Sequence, residues 1–182
     1  MSEISLALSP ECRREDLFAF AARAGWTLQE ERPRTFSVLG GAAWTTADGL
    51  PASYIEVHPL GVRLLNLADQ PALLAGVRAA LPALDREELL ALAHDGRMEQ
   101  RAFALRALAF LEQSAPSAPL LAALRRAADD PSRFFRRAVI NLCWIGAITD
   151  ALDDLYGRRT DDDAELGADW AALRDRRAPE EI

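Results

Sequence analysis

The feature that most constrains this chain is a change of hydrophobic period near residue 70. Before it, apolar residues alternate with polar ones in short runs, the spacing of half-buried strands; after it, they recur every three or four positions, as on a helix. Glu3–Leu8 sets Ile4, Leu6 and Leu8 against Glu3, Ser5 and Ala7 and predicts a first strand. Ser9-Pro10-Glu11 carries the chemistry of a helix start, with Ser9 as cap, Pro10 in the first turn and Glu11 at the positive dipole end. That helix stops at Gly25, a C-terminal cap residue. Trp26–Leu28, Thr35–Thr46, Tyr54–Val57 and Val62–Leu67 then read as four consecutive strands. Gly40-Gly41 marks a bulge or break, and 47–49 and 58–61 supply turns. Short connections imply an antiparallel sheet covered by the one helix, so residues 1–70 are expected to form a small α+β domain.

From Pro71 the strand pattern is gone, and residues 71–182 are expected to be all-α. Sliding the chain by 34 positions against itself matches Leu90 to Leu124, Ala93 to Ala127, Asp95 to Asp129, Ala104 to Ala138 and Leu108 to Leu142. Leu105 also meets Val139, Phe110 meets Trp144, and Leu111 meets Ile145. Each copy reads as a shorter helix, a polar turn (94–97, then 129–132) and a longer helix. This pattern resembles the HEAT-repeat family in its short bacterial form, well over 86–146 and loosely over 71–176. Ala104 and Ala138 correspond to the family's small residue where hairpins approach closely, and Leu108 and Leu142 to the apolar residue one turn later. Arg101 corresponds to the family's arginine at the start of the second helix, whereas Phe135 stands there in the second copy. The resemblance implies a helical-hairpin solenoid (an armadillo-like fold) that binds through surface area rather than a reactive group. A tail hairpin completes the expectation: a short helix over Thr149–Tyr156 stopped by Gly157, then a helix capped by Thr160-Asp161-Asp162-Asp163 with Leu166, Trp170 and Leu173 as its apolar stripe.

Composition removes several chemistries. All 21 basic residues are arginine, so a Schiff-base lysine, a P-loop lysine and a Ser–Lys dyad are excluded. The two histidines, His58 and His94, have no companion ligand at zinc spacing, and no nucleophile-elbow context is present. Asp161–Asp163 lacks the alternation and glycine of a calcium loop and reads as a helix cap. Cys12 and Cys143 suggest no disulfide framework, and Cys143 sits in the apolar run 142–145 as a core residue. The N-terminus lacks the basic start of a signal peptide, no apolar run is long enough for a membrane helix, and a cytoplasmic location is expected. No cofactor and no catalytic residue are expected.

The sharpest surface feature is the basic cluster Arg125, Arg126, Arg133, Phe134, Arg136 and Arg137. Arginines flanking aromatics suit an acidic protein surface or a phosphate backbone, through forked hydrogen bonds and stacking. The net charge of −7 speaks against nucleic acid as the main partner. Its distribution is uneven: 151–182 holds 10 acids and 5 arginines, while 70–150 holds 9 acids and 10 arginines. The expected function is therefore a non-catalytic protein-binding module, such as an adaptor or an immunity protein that masks a toxin. The alternative is a nucleic-acid-binding or repair protein using Arg133–Arg137, since HEAT-like DNA glycosylases hold DNA on such a surface.

Overall fold

Strand β1 (Glu3–Leu8) is the strand expected from the alternation, but the chain does not enter its helix at Ser9. The Ser9 carbonyl instead accepts the Cys12 N–H at 2.9 Å in a tight turn. Helix α1 runs Arg14–Arg23, and its preceding residue Arg13 donates its N–H to Asp16 Oδ2 at 2.9 Å. Gly25 ends the segment at φ +70°, a conformation only glycine adopts without strain. Strands β2 (Thr27–Arg32), β3 (Gly40–Thr45), β4 (Pro51–Val57) and β5 (Val62–Ala68) follow. Helix α2 (Pro71–Ala80) leads to a two-residue strand β6 (Ala83–Leu84). Among the described residues six helices follow: α3 (Arg86–Asp95), α4 (Met98–Leu111), α5 (Ala118–Ala128), α6 (Arg133–Ile140), α7 (Gly146–Tyr156) and α8 (Ala164–Asp175). The computed structural model describes residues 3–32, 40–57, 60–140, 142, 146–157 and 164–175.

The strands make one six-stranded antiparallel sheet in the order β2-β3-β4-β5-β1-β6. Register places Leu6, Leu8, Ala42, Trp44, Ala52, Tyr54, Leu65 and Leu67 on one face. Leu17, Phe20 and Ala21 of α1 and Val77 of α2 bury against that face. Trp44 takes Phe18 edge-on at 5.1 Å and Trp26 at 6.1 Å, and Trp26 takes Phe20 at 5.3 Å, the edge-to-face geometry that aromatic quadrupoles prefer. The chain divides into two compact units, Met1–Leu89 and Leu90–Ile182.

Two expectations about the fold are corrected. Strand β6 and the helix before it, α2, belong with the sheet, so the β architecture continues past residue 70. Two residues are too few to display a period, which hid β6 from the sequence. The protein is mixed α/β, and an all-α solenoid after the sheet is not evident. The division between units falls inside α3, so the first 34-residue copy does not lie within one unit. Shared apolar spacing among Ala and Leu buries a helix without requiring identical hairpins. The Thr160–Asp163 cap, Cys143 and His58 lie outside the described residues, as does the side chain of Leu173.

Candidate functional site

The predicted arginine cluster lies on α5 and α6, on either side of the turn that joins them. Ser117 starts α5 by accepting the Leu120 N–H at 3.3 Å, and Pro119 occupies its first turn. Leu120, Ala123, Leu124 and Ala127 bury one side of that helix, which leaves Arg125 and Arg126 exposed in its last turn. Neither arginine forms an ion pair or side-chain hydrogen bond among the described residues, and both sit favourably at the negative end of the helix dipole.

The turn is held from two sides. Asp130 accepts the Ser132 N–H at 2.8 Å through Oδ1 and receives Arg101 Nη1 at 2.8 Å through Oδ2. Arg136 donates its Nη1 to the carbonyls of Asp130 at 2.7 Å and Pro131 at 3.2 Å. Ser132 Oγ accepts the Phe135 N–H at 3.3 Å and so caps α6. Phe135 is buried, and the guanidinium of Arg101 stacks 4.4 Å from its ring centre. Where the second copy has phenylalanine in place of arginine, the arginine of the first copy lies on that phenylalanine.

On the outer side of α6, Arg133 pairs with Glu165 of α8, and Arg137 forks onto Asp169, with Nε 2.8 Å from Oδ2 and Nη2 3.1 Å from Oδ1. Both helices space these groups four residues apart, so two one-turn ladders meet in register. Helix α8 is anchored by buried Leu166 and Trp170. Trp170 stacks on Tyr156 at 5.5 Å and donates its indole N–H to Asp153 at 3.1 Å, and the Tyr156 hydroxyl donates to the Arg136 carbonyl at 3.4 Å. Phe134 stands free of this network and is 82% exposed. Helical geometry puts it about 60° around α6 from Arg137.

Of the six residues singled out by the sequence, Arg133, Arg136 and Arg137 are thus engaged within the protein, while Phe134, Arg125 and Arg126 face outward. The partners Arg101, Asp130, Glu165 and Asp169 were not singled out. The four-residue spacing shared by Arg133/Arg137 and Glu165/Asp169 was the available signal. A further arginine, Arg106 of α4, is half-buried with its Nε lacking any partner among the described residues, and burial pushes its pKa down.

Burial, reinforced by Asp16 and opposed by Arg63, pushes the Cys12 thiol up, which withholds the nucleophilic thiolate. His94 is exposed and pairs with its neighbour Asp95 at 2.5 Å. Among the described residues no group of three or more His, Cys, Asp and Glu side chains could hold a metal ion, and no helix is long and apolar enough to cross a membrane. No protein-family model matches the chain, and no curated protein or solved structure shows significant similarity to it.

Proposed function

We propose that this chain is a non-catalytic protein-binding module whose contact surface centres on Phe134, takes in Arg125 and Arg126, and receives an acidic protein partner. The observation that carries this reading is the exposure of a whole phenyl ring on a helix whose adjacent cations are held in place. An exposed aromatic hides apolar area only when something covers it, and aromatic and arginine side chains supply most of the energy at protein interfaces. Arg125 and Arg126 add charge that no acid among the described residues pairs with, which favours an acidic partner and speeds its encounter. Adaptors and masking, immunity-type proteins both use a surface of this chemistry.

The test is retention of a partner from native host extract by the tagged full chain, compared with Phe134→Ala and Arg125→Glu/Arg126→Glu. The reading expects one partner that both variants lose while keeping the wild-type unfolding midpoint. Equal retention by all three chains would overturn it. A salt-dependent gel shift with duplex DNA, abolished in the Arg125→Glu/Arg126→Glu chain, would replace the protein partner with nucleic acid. Pairing of Arg133 and Arg137 with Glu165 and Asp169 weighs against that outcome, because phosphate would have to displace carboxylates already in place.

A further inference from the structure

The face of the sheet turned away from α1 carries a cavity of about 260 Å³, lined by Glu30 and Arg32 of β2, Gly40–Ala43 of β3 and Ser53–Ile55 of β4. Strand register shows which side chains reach it. Glu30 pairs with Ala43, Arg32 with Gly41, Ala43 with Ser53, and Gly41 with Ile55, so these six share one face. The floor is shallow at its centre: a Cβ on Gly41 would stand 2.7 Å from the Tyr54 carbonyl oxygen, and two residues along the same strand Ala43 offers only a methyl opposite the hydroxymethyl of Ser53.

A hydrogen-bond chain with a fixed direction ends in this cavity. Ser5 donates its hydroxyl to Asn66 Oδ1 at 2.7 Å, and Asn66 donates Nδ2 to Ser53 Oγ at 3.2 Å. Ser53 therefore acts as acceptor toward the sheet, and its own proton remains to be donated on the cavity side. That proton has no acceptor among the described residues. At the rim, Glu30 holds Arg32 by Nε–Oε1 at 2.7 Å and Nη2–Oε2 at 3.4 Å, which leaves Nη1 for a further acceptor.

We propose that this cavity binds a small monocarboxylate with a compact apolar body, its carboxylate taken by the Ser53 hydroxyl and the spare N–H of Arg32 and its body lying over Gly41, Ala43 and Ile55. The cavity is smaller than the roughly 300–1,000 Å³ of sites for drug-sized ligands, so the ligand is of the size of benzoate or a short fatty acid. Both donors lie on the same strand face, and the one acid lining the cavity among the described residues, Glu30, is already paired with Arg32, which disfavours a basic ligand. The site is separate from the surface of α5 and α6 and stands or falls without it.

The probe is sodium benzoate titrated into the ¹⁵N-labelled full chain, followed by amide shifts, at constant ionic strength set with sodium chloride. Saturable shifts confined to Gly40–Ala43 and Ser53–Ile55 are expected, in the millimolar range that one or two hydrogen bonds support. Ser53→Ala weakens binding by about fivefold, the worth of one hydrogen bond. Ala43→Leu fills the floor and abolishes binding, with the remaining amide spectrum unchanged as the control for folding. Absence of saturable shifts, shifts centred elsewhere, or a Ser53→Ala chain that binds as tightly as wild type would each overturn the proposal.

Discussion

Arg101 of α4 ties the turn between α5 and α6 to the start of α6. One guanidinium donates to Asp130 in the α5–α6 turn and covers the ring of Phe135 at the start of α6. Its side chain is 24% exposed and that of Asp130 is 11%, so solvent screens the pair only in part. Arg101→Ala removes both contacts and leaves a nearly buried carboxylate, and is expected to lower stability by about 2–3 kcal/mol in urea denaturation. Arg101→Lys recovers only part of this, because an ammonium cannot fork and stack at once. Arg106 differs in that burial disfavours its charge, although the Nε of Arg101 is likewise buried without a partner among the described residues. The Nε of Arg106 itself has no partner among the described residues, so Arg106→Met is expected to raise stability by about 0.5–1 kcal/mol. The 34-residue offset made the exchange of Arg101 for Phe135 legible in the sequence. The contact between them was not, since an offset equates positions and says nothing of which side chain crosses from one copy to the other.

Among the elements, α3 shows how local chemistry sets a helix boundary. Asp85 accepts the Glu88 N–H at 2.9 Å, and Glu88 returns a carboxylate oxygen to the Asp85 N–H at 2.9 Å, a reciprocal capping box. Arg78 of α2 bridges both acids. Burial alone would raise the pKa of Asp85, but the N–H groups of Glu88 and Glu87 and the Arg78 guanidinium outweigh it and hold the carboxyl below its ordinary value. A carboxyl held low in the folded state contributes stability that is complete above its unfolded pKa, about 3.9, and is lost as pH falls through the folded value. Asp85→Asn keeps a good cap but cannot titrate. Its stability is therefore expected to fall less than that of wild type as pH drops below about 4, measured by urea midpoints across that range. Asp85→Ala loses the cap itself and costs about 1 kcal/mol at neutral pH. Strand β1 and the stop at Gly25 were legible because alternation and a left-handed glycine are local signals. The start of α1 was not. Ser9-Pro10 has the composition of a cap, and the chain uses it for a turn that ends where Arg63 donates to the Cys12 carbonyl.

At the scale of the molecule, charge distribution and architecture explain one another. The acidic excess after residue 150 is plain in the sequence, and two of its members, Glu165 and Asp169, lie against Arg133 and Arg137 of α6. Glu165→Gln/Asp169→Asn therefore unmasks two arginines. This variant is expected to be retained on heparin to a higher salt concentration than wild type, with buried Leu166 and Trp170 still holding α8. The basic cluster was legible as composition, but its division into engaged and open residues depends on a helix some thirty residues downstream. The mixed α/β architecture was likewise half visible. Local alternation announced the sheet, while the repeat spacing of the helices suggested a regular stack that is not evident in the fold. Within the arginine cluster, Phe134, Arg125 and Arg126 are the exposed residues with no side-chain partner among the described residues, and the proposed contact surface rests on them. The measurement that tests this most directly is photo-crosslinking in native host extract with benzoylphenylalanine at position 134, set against the same probe at Met98, another exposed apolar residue. A single protein adduct formed from position 134, absent from position 98 and lost when Arg125 and Arg126 become glutamate, is the expected result. Adducts equal at both positions, or none at 134, would contradict it.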